Sequence, residues 1–130
     1  MKLLLDTHVW LWGLLEPERL SRTTRRSLVH ADNELWLSSV SVWESMVLAE
    51  RGKIRLAQPA EDWIAEALST VACNEIPVTN AIAITSRAIS LPHQDPADRF
   101  IAASAQVFDL TLVTADARLL ACSEIKTRAA

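Results

Sequence analysis

Glycine is nearly absent from this chain of 130 residues, occurring only as Gly13 and Gly52. No Gly-rich loop is therefore available to cradle a phosphate through backbone N–H groups, and no nucleophile-elbow motif is present. Cysteine is equally scarce: Cys73 and Cys122 are too few and too far apart for a disulfide scaffold or a thiolate metal site, and both read as reduced core thiols. The three histidines, His8, His30 and His93, lack the paired spacing of a zinc site. His8 reads as a core or rim residue, with substrate contact as the alternative, and His30 and His93 read as surface residues. Long apolar runs are missing as well. Leu3-Leu4-Leu5 stops at a charge and is too short for a signal peptide or a membrane span, so a soluble, cytoplasmic chain is expected. Nor is there an excess of positive charge. A formal net charge of -3 argues against a protein that coats nucleic acid through bulk potential, although a local patch stays possible.

What is abundant is apolar surface. Hydrophobic residues make up 50% and charged residues 22% of the chain, the balance of a globular protein, and one domain spanning residues 1–130 is expected. Five tryptophans exceed what a small core easily hides, so part of that surface is expected to face a partner, as in a dimer or a complex. Arg19, Arg22, Arg25 and Arg26 cluster, with 19, 22 and 26 on one helical face. They read as a solvated face, with a phosphate-tracking patch as the alternative.

Apolar segments alternate between strand and helix spacing. Leu3–Leu5 reads as a buried strand, Val9–Leu15 as a helix apolar nearly all round, 19–30 as a basic helix and Glu34–Ser38 as a second strand. Ser39–Glu50 is helical and ends at Arg51-Gly52-Lys53, because glycine is favoured just past a helix. Pro59 opens a helix with Trp63, Ile64, Ala67 and Leu68 on one stripe, and Ile76-Pro77-Val78 is a weak edge strand. Helical spacing over 80–89, an Asp95-Pro96 helix start running to about Phe108, a strand at 110–114 and a short helix over 117–120 complete the ordered core. No internal repeat or linker interrupts the order. Such alternation predicts an α/β fold with a mainly parallel sheet.

Four acids recur at the ends of these apolar segments: Asp6, Glu44, Asp98 and Asp116. Asp6 and Asp116 follow strands, at the carboxyl edge where open parallel sheets bind ligands, and the helices carrying Glu44 and Asp98 begin at that edge in right-handed crossovers. Asp98 shares a stripe with Ile101, Ala102 and Ala105, and Glu44 shares one with Val47 and Leu48. Inward carboxylates are costly without a cation, and all-oxygen ligands suit Mg²⁺ or Mn²⁺. Each acid also has a local alternative. Ser41 to Glu44 has capping-box spacing, Asp98 is a favourable first-turn acid, and Asp116 can cap the helix from Ala117, whereas Asp6 has little local capping duty. Asp95 reads as a cap, since proline follows it.

Together these segments resemble the PIN-domain ribonucleases and, within them, the VapC-type toxins of toxin–antitoxin pairs. The resemblance covers nearly the whole chain and rests on Leu4-Leu-Asp6-Thr-His-Val-Trp-Leu-Trp12, Ser39-Val-Ser-Val-Trp43-Glu44 with Gly52-Lys53-Ile54, His93-Gln-Asp95-Pro-Ala-Asp98-Arg99 with Ile101-Ala102-Ala103, and Leu112-Val-Thr-Ala-Asp116. It implies a three-layer α/β/α sandwich, Mg²⁺- or Mn²⁺-dependent endonucleolytic cleavage of RNA, a homodimer and a cognate antitoxin that wraps the toxin. By motif position Asp6, Glu44, Asp98 and Asp116 form the acidic quartet, and Thr7 and Thr114 match hydroxyl positions that can sit near the metal, with capping as the alternative, so they stand outside the core site. Two departures from the pattern stand out: Ala97 replaces a bulky apolar residue, and Ser45-Met46 replaces a more aliphatic pair.

The expected chemistry is hydrolysis of a phosphodiester by metal-activated water. Asp6 and Asp98 are the candidate direct ligands, and Glu44 and Asp116 either ligate, position water or act through other ligands. Trp10, Leu11, Leu14 and Leu15 form a candidate groove floor for an antitoxin helix, with core packing as the alternative. Competing readings are a catalytically inactive PIN-like interaction protein, a non-toxin RNA-processing nuclease, and a phosphoryl-transfer protein using Asp6 as nucleophile. The last is disfavoured because no lysine follows the strand near Thr114.

Overall fold

The computed structural model describes residues 1–130. Leu3, Leu4 and Leu5 of β1 (Lys2–Leu5) are at most 2% exposed, which requires cover on both faces of the strand. The sheet supplies that setting. β1 lies at its centre, paired in parallel with β2 (Glu34–Ser38) and β4 (Thr111–Thr114), with Leu4 opposite both Trp36 and Leu112. β3 (Asn74–Ile76) and β5 (Lys126–Ala129) form the edges, giving an all-parallel order β3-β2-β1-β4-β5.

Side chains alternate across this sheet with period two. Leu3, Leu5, Leu35, Leu37 and Val113 pack on one face with Val9, Trp10 and Leu11 of α1 (Thr7–Leu15), Leu20, and Ala67 of α4 (Ala60–Thr70). Leu4, Ile76 and Leu112 pack on the other with Ile82 of α5 (Asn80–Ala88), Ile101 to Ala103 of α6 (Pro96–Val107) and Leu119 of α7 (Ala117–Leu120). The result is the expected three-layer α/β/α sandwich. No helix is long and apolar enough to cross a membrane.

α3 (Ser39–Glu50) follows β2 without a loop and contacts α1, α4 and α6. Its most buried face carries Val40, Ser41 and Ser45, whereas Glu44, Val47 and Leu48 are half-buried. Gly52 ends the turn after it at φ 68°, where a side chain is strained.

Three expectations are corrected. The ordered core does not end at Leu120, because Lys126–Ala129 adds β5; its alternation is polar and it lies at an edge, so it carries no apolar signature. The basic cluster is not one helical face, since α2 spans only Arg22–Val29 and Arg19 belongs to a 3₁₀ turn, Pro17–Arg19, with its guanidinium 4.6 Å above the Trp12 ring. Finally, Trp10 and Leu14 line an apolar groove between α1 and α2, while Leu11 and Leu15 line a different pocket on the far side of α1. Pairs four apart share a helix face and adjacent pairs do not, so the four residues cannot floor a single groove.

Candidate active site

In the strand order, the chain leaves β1 to one side for β2 and β3 and reaches the other side at β4, making the β1–β4 boundary the switch point at which open parallel sheets form a crevice. Asp6 and Asp116 emerge there. The Asp6 backbone N–H donates to the Val113 carbonyl at 3.0 Å, so this residue is tied to the neighbouring strand. Its side chain is 9% exposed: one oxygen accepts from the Thr7 N–H at 2.9 Å and the other from the Thr114 hydroxyl at 2.6 Å. Asp6 therefore caps α1, contrary to the expectation that it has little capping duty. The capping contact uses Oδ1 and leaves lone pairs on both oxygens for a cation.

Glu44 does not belong to a capping box. Ser38 is the N-cap of α3, and Ser41 lies inside the helix, where its hydroxyl accepts from Thr7 at 2.9 Å. The cap alternative for Glu44 fails with that geometry. Burial, and after it the charges of Asp95 and Asp6, raise the Glu44 carboxyl above its usual range, with the Thr7 hydroxyl partly offsetting them. Asp98 stands in the first turn of α6 and makes no hydrogen bond. Its carboxyl is pushed up to about 6, first by burial and then by Asp6, Asp95 and Glu44.

Asp116 does cap α7, with Oδ1 accepting from the Arg118 N–H at 2.8 Å and the Leu119 N–H at 3.4 Å. Its Oδ2 lies 2.9 Å from Nε2 of His93. Burial raises this carboxyl, but the bonds with His93, Arg118 and Leu119 outweigh it and hold Asp116 down to about 2. Asp95 caps α6 as expected, accepting from the Ala97 N–H at 3.0 Å. Its carboxylate nonetheless faces the same cavity.

That cavity, of about 420 Å³, is lined by Asp6, His8, Trp12, Glu44, Asp95, Asp98, Ala115 and Asp116. All four candidate acids converge on it from four different elements. Potential ligand atoms of His93, Asp98 and Asp116 lie mutually within 4.8 Å, and Asp6 and Glu44 line the cavity without joining that trio. Five carboxylates around one space, two of them with raised affinity for protons, form a donor set that suits a hard divalent cation.

His93, expected at the surface, is buried at 2% exposure. The cause is Arg99, itself 8% exposed, which donates to four backbone carbonyls: Ser86 at 2.8 Å, Ile89 at 2.8 Å, Leu91 at 3.0 Å and His93 at 3.2 Å. This guanidinium folds the 89–93 loop inward and delivers the imidazole to Asp116. His8, by contrast, is exposed at the cavity rim, and His30 is exposed as expected.

The PIN domain family model matches residues 3–124. Ribonuclease VapC22 of Mycobacterium tuberculosis is 40% identical over 119 residues, covering 89% of this chain and 88% of that protein. Among solved structures, VapBC2 from Rickettsia felis, bound to a DNA fragment from their promoter, superposes with a TM-score of 0.74 at 14% identity, covering 100% of this chain and 99% of that one. FitAcB from Neisseria gonorrhoeae gives a TM-score of 0.69 at 21% identity, covering 96% and 95% of the two chains.

Proposed function

Because the chain belongs to the PIN-domain family, we propose that it is an endoribonuclease of the toxin–antitoxin type that hydrolyses RNA phosphodiester bonds with a divalent cation. The observation that carries this reading is the convergence of Asp6, Glu44, Asp98 and Asp116 on one cavity at the sheet's switch point. The ribonuclease name of the 40% identical relative supports it.

Asp6 and Asp98 would hold the cation, with Glu44 and Asp116 completing the acidic quartet. A bound Mg²⁺ or Mn²⁺ would supply Lewis-acid polarisation of the phosphodiester and activation of water. The protein's own part is geometric and electrostatic. The Thr114 hydroxyl and the Thr7 N–H fix both oxygens of Asp6, and His93 fixes one oxygen of Asp116. Asp98 makes no hydrogen bond and has a raised proton affinity, so its carboxylate is the group with most to gain from a cation.

The partners are a cognate antitoxin and a second copy of the chain. The groove between α1 and α2, about 280 Å³ and lined by Trp10, Gly13, Leu14, Leu20, Leu28 and Val29 among others, suits the apolar face of an antitoxin helix. Trp43 and Val78, 61% and 45% exposed, share a shallow apolar cavity with Pro96, Ala97 and Phe100. Ala97 leaves room there that a larger residue would fill, and a second copy covers this face.

The decisive experiment compares wild type with Asp6→Asn on an RNA pool in Mg²⁺, in Mn²⁺ and in chelator. Cleavage is expected only for wild type with metal, a loss of at least ~10²-fold for the variant, and unchanged circular dichroism. Full cleavage by purified Asp6→Asn protein would sink the reading.

A further inference from the structure

A second polar cavity, of about 450 Å³, lies on the other side of His8 and Trp12, and those two side chains line both it and the acidic cavity. It is lined by Arg19, Lys53 and Arg55, by Glu16, which pairs with Arg19, and by the apolar Leu11, Leu15, Leu48 and Ile54. We propose that this pocket is a substrate subsite that takes the nucleotides of a single-stranded RNA adjoining the scissile phosphate.

The proposal rests on the nuclease reading and begins from charge. A strand whose reacting phosphate sits among five carboxylates is repelled by them, and in a chain of net charge -3 its neighbouring phosphates need cations close by. Lys53 and Arg55 meet that need. Both are exposed, and neither belongs to any of the ion pairs of the molecule. They are also positioned rather than adrift. The left-handed Gly52 turns the chain sharply at the end of α3, and the Lys53 N–H is bonded to the Leu48 carbonyl at 2.9 Å.

The wall between the two cavities is aromatic, with the His8 and Trp12 rings tilted 51° to each other. Arg19 lies 4.6 Å above the Trp12 ring, held by Glu16 at 3.0 Å, and the His8 ring is 5.8 Å from Trp12. Trp12 thus holds one cation facing the basic pocket and an imidazole at the rim of the acidic one. A lining of apolar side chains and cations suits an unstacked base and its phosphate, as single strands present and duplexes do not. Arg118, 3.5 Å from Asp116, provides a cation on the Asp116 flank of the acidic cavity. A strand can therefore run from Arg118, across the acids, to Lys53 and Arg55.

The test uses a labelled 12-nucleotide mixed-sequence RNA and fluorescence anisotropy in Mg²⁺. Binding is measured on Asp98→Asn protein, to prevent cleavage, with and without Lys53→Glu plus Arg55→Glu. The double reversal is expected to weaken binding about tenfold or more and to reduce the slope of log K against log salt by about 1.4, roughly 0.7 per lost phosphate contact. In the cleaving background the same pair is expected to raise KM with kcat within about twofold. Trp12→Ala is expected to weaken binding and Trp12→Phe to restore most of it, and a blunt duplex of equal length is expected to bind about tenfold less tightly than the single strand.

Unchanged affinity and salt slope in the double reversal overturn the subsite while leaving the nuclease intact. Equal duplex binding overturns its single-strand character. If the reversal abolishes binding of an acidic antitoxin peptide but spares RNA, the pocket is a protein dock and the proposal falls. Wild-type protein that neither binds nor cleaves RNA strikes the nuclease reading itself.

Discussion

Asp98 shows how far a single position in a sequence carries and where it stops. Its spacing to Ile101, Ala102 and Ala105 announces an inward carboxylate, and those three neighbours are buried. What spacing does not carry is the local field, which requires the positions of Asp6, Asp95 and Glu44 in space. That field has a measurable sign. With a folded pKa of about 6 against an ordinary value of 3.8, the folded chain keeps a proton that the unfolded chain releases between those two values. Stability of the metal-free protein therefore falls as pH rises through that window, and the whole cost is present above it. For a group about half exposed this cost is on the order of 1–2 kcal/mol after solvent screening. Asp98→Asn is thus expected to raise the metal-free melting temperature by a few degrees at pH 7 and by almost nothing near pH 4. Thermal scans of both proteins at several pH values check this, and Mg²⁺ is expected to stabilise wild type more than the variant. His93 was beyond reach at this scale. One histidine in a loop has no period to reveal its burial, and its partner is 23 residues away.

At the scale of elements, strands and helices with strong periodicity were readable to within a residue or two: β1, β2, β4, α3 and α6 all lie where their patterns place them. Patterns failed where packing, not periodicity, decides. β5 has no apolar face to announce it, and Arg19 falls outside the basic helix because Ser21 caps that helix's N-terminus, leaving Arg19 in the preceding 3₁₀ turn against the Trp12 ring. Arg99 is an element-level joint. Four carbonyls from the end of α5 and the loop after it converge on a guanidinium rooted in α6. Lysine cannot reproduce that fork, so Arg99→Lys is expected to leave buried carbonyls unpaired and to cost about 2–4 kcal/mol. Urea unfolding measures the loss. Cleavage is expected to drop with it, because the same joint delivers His93 to Asp116; full activity in a destabilised Arg99→Lys protein would separate the joint from the site.

For the whole molecule, the alternation of strands and helices was enough to read an α/β sandwich, since parallel strands require crossovers. The order of the strands was not in that pattern, because nothing local says on which side of β1 the fourth strand pairs. The surplus of tryptophan has a structural answer in part: Trp10 is 2% exposed, whereas Trp43 is 61% exposed on α3 beside the Ala97 cavity. If that face joins two copies, Trp43→Glu is expected to convert a dimer to a folded monomer, as light scattering after size exclusion will show. A variant that stays dimeric moves the interface elsewhere.

The hydrogen bond between Thr114 and Asp6 joins residues 108 apart in sequence, so the central strand is made well before the neighbour that completes the cavity. Synthesis must therefore pass Thr114 before Asp6 gains its second side-chain contact. A product interrupted before β4 lacks one wall of the cavity and one of the two strands that pair with β1, so the acids come together only once β4 exists.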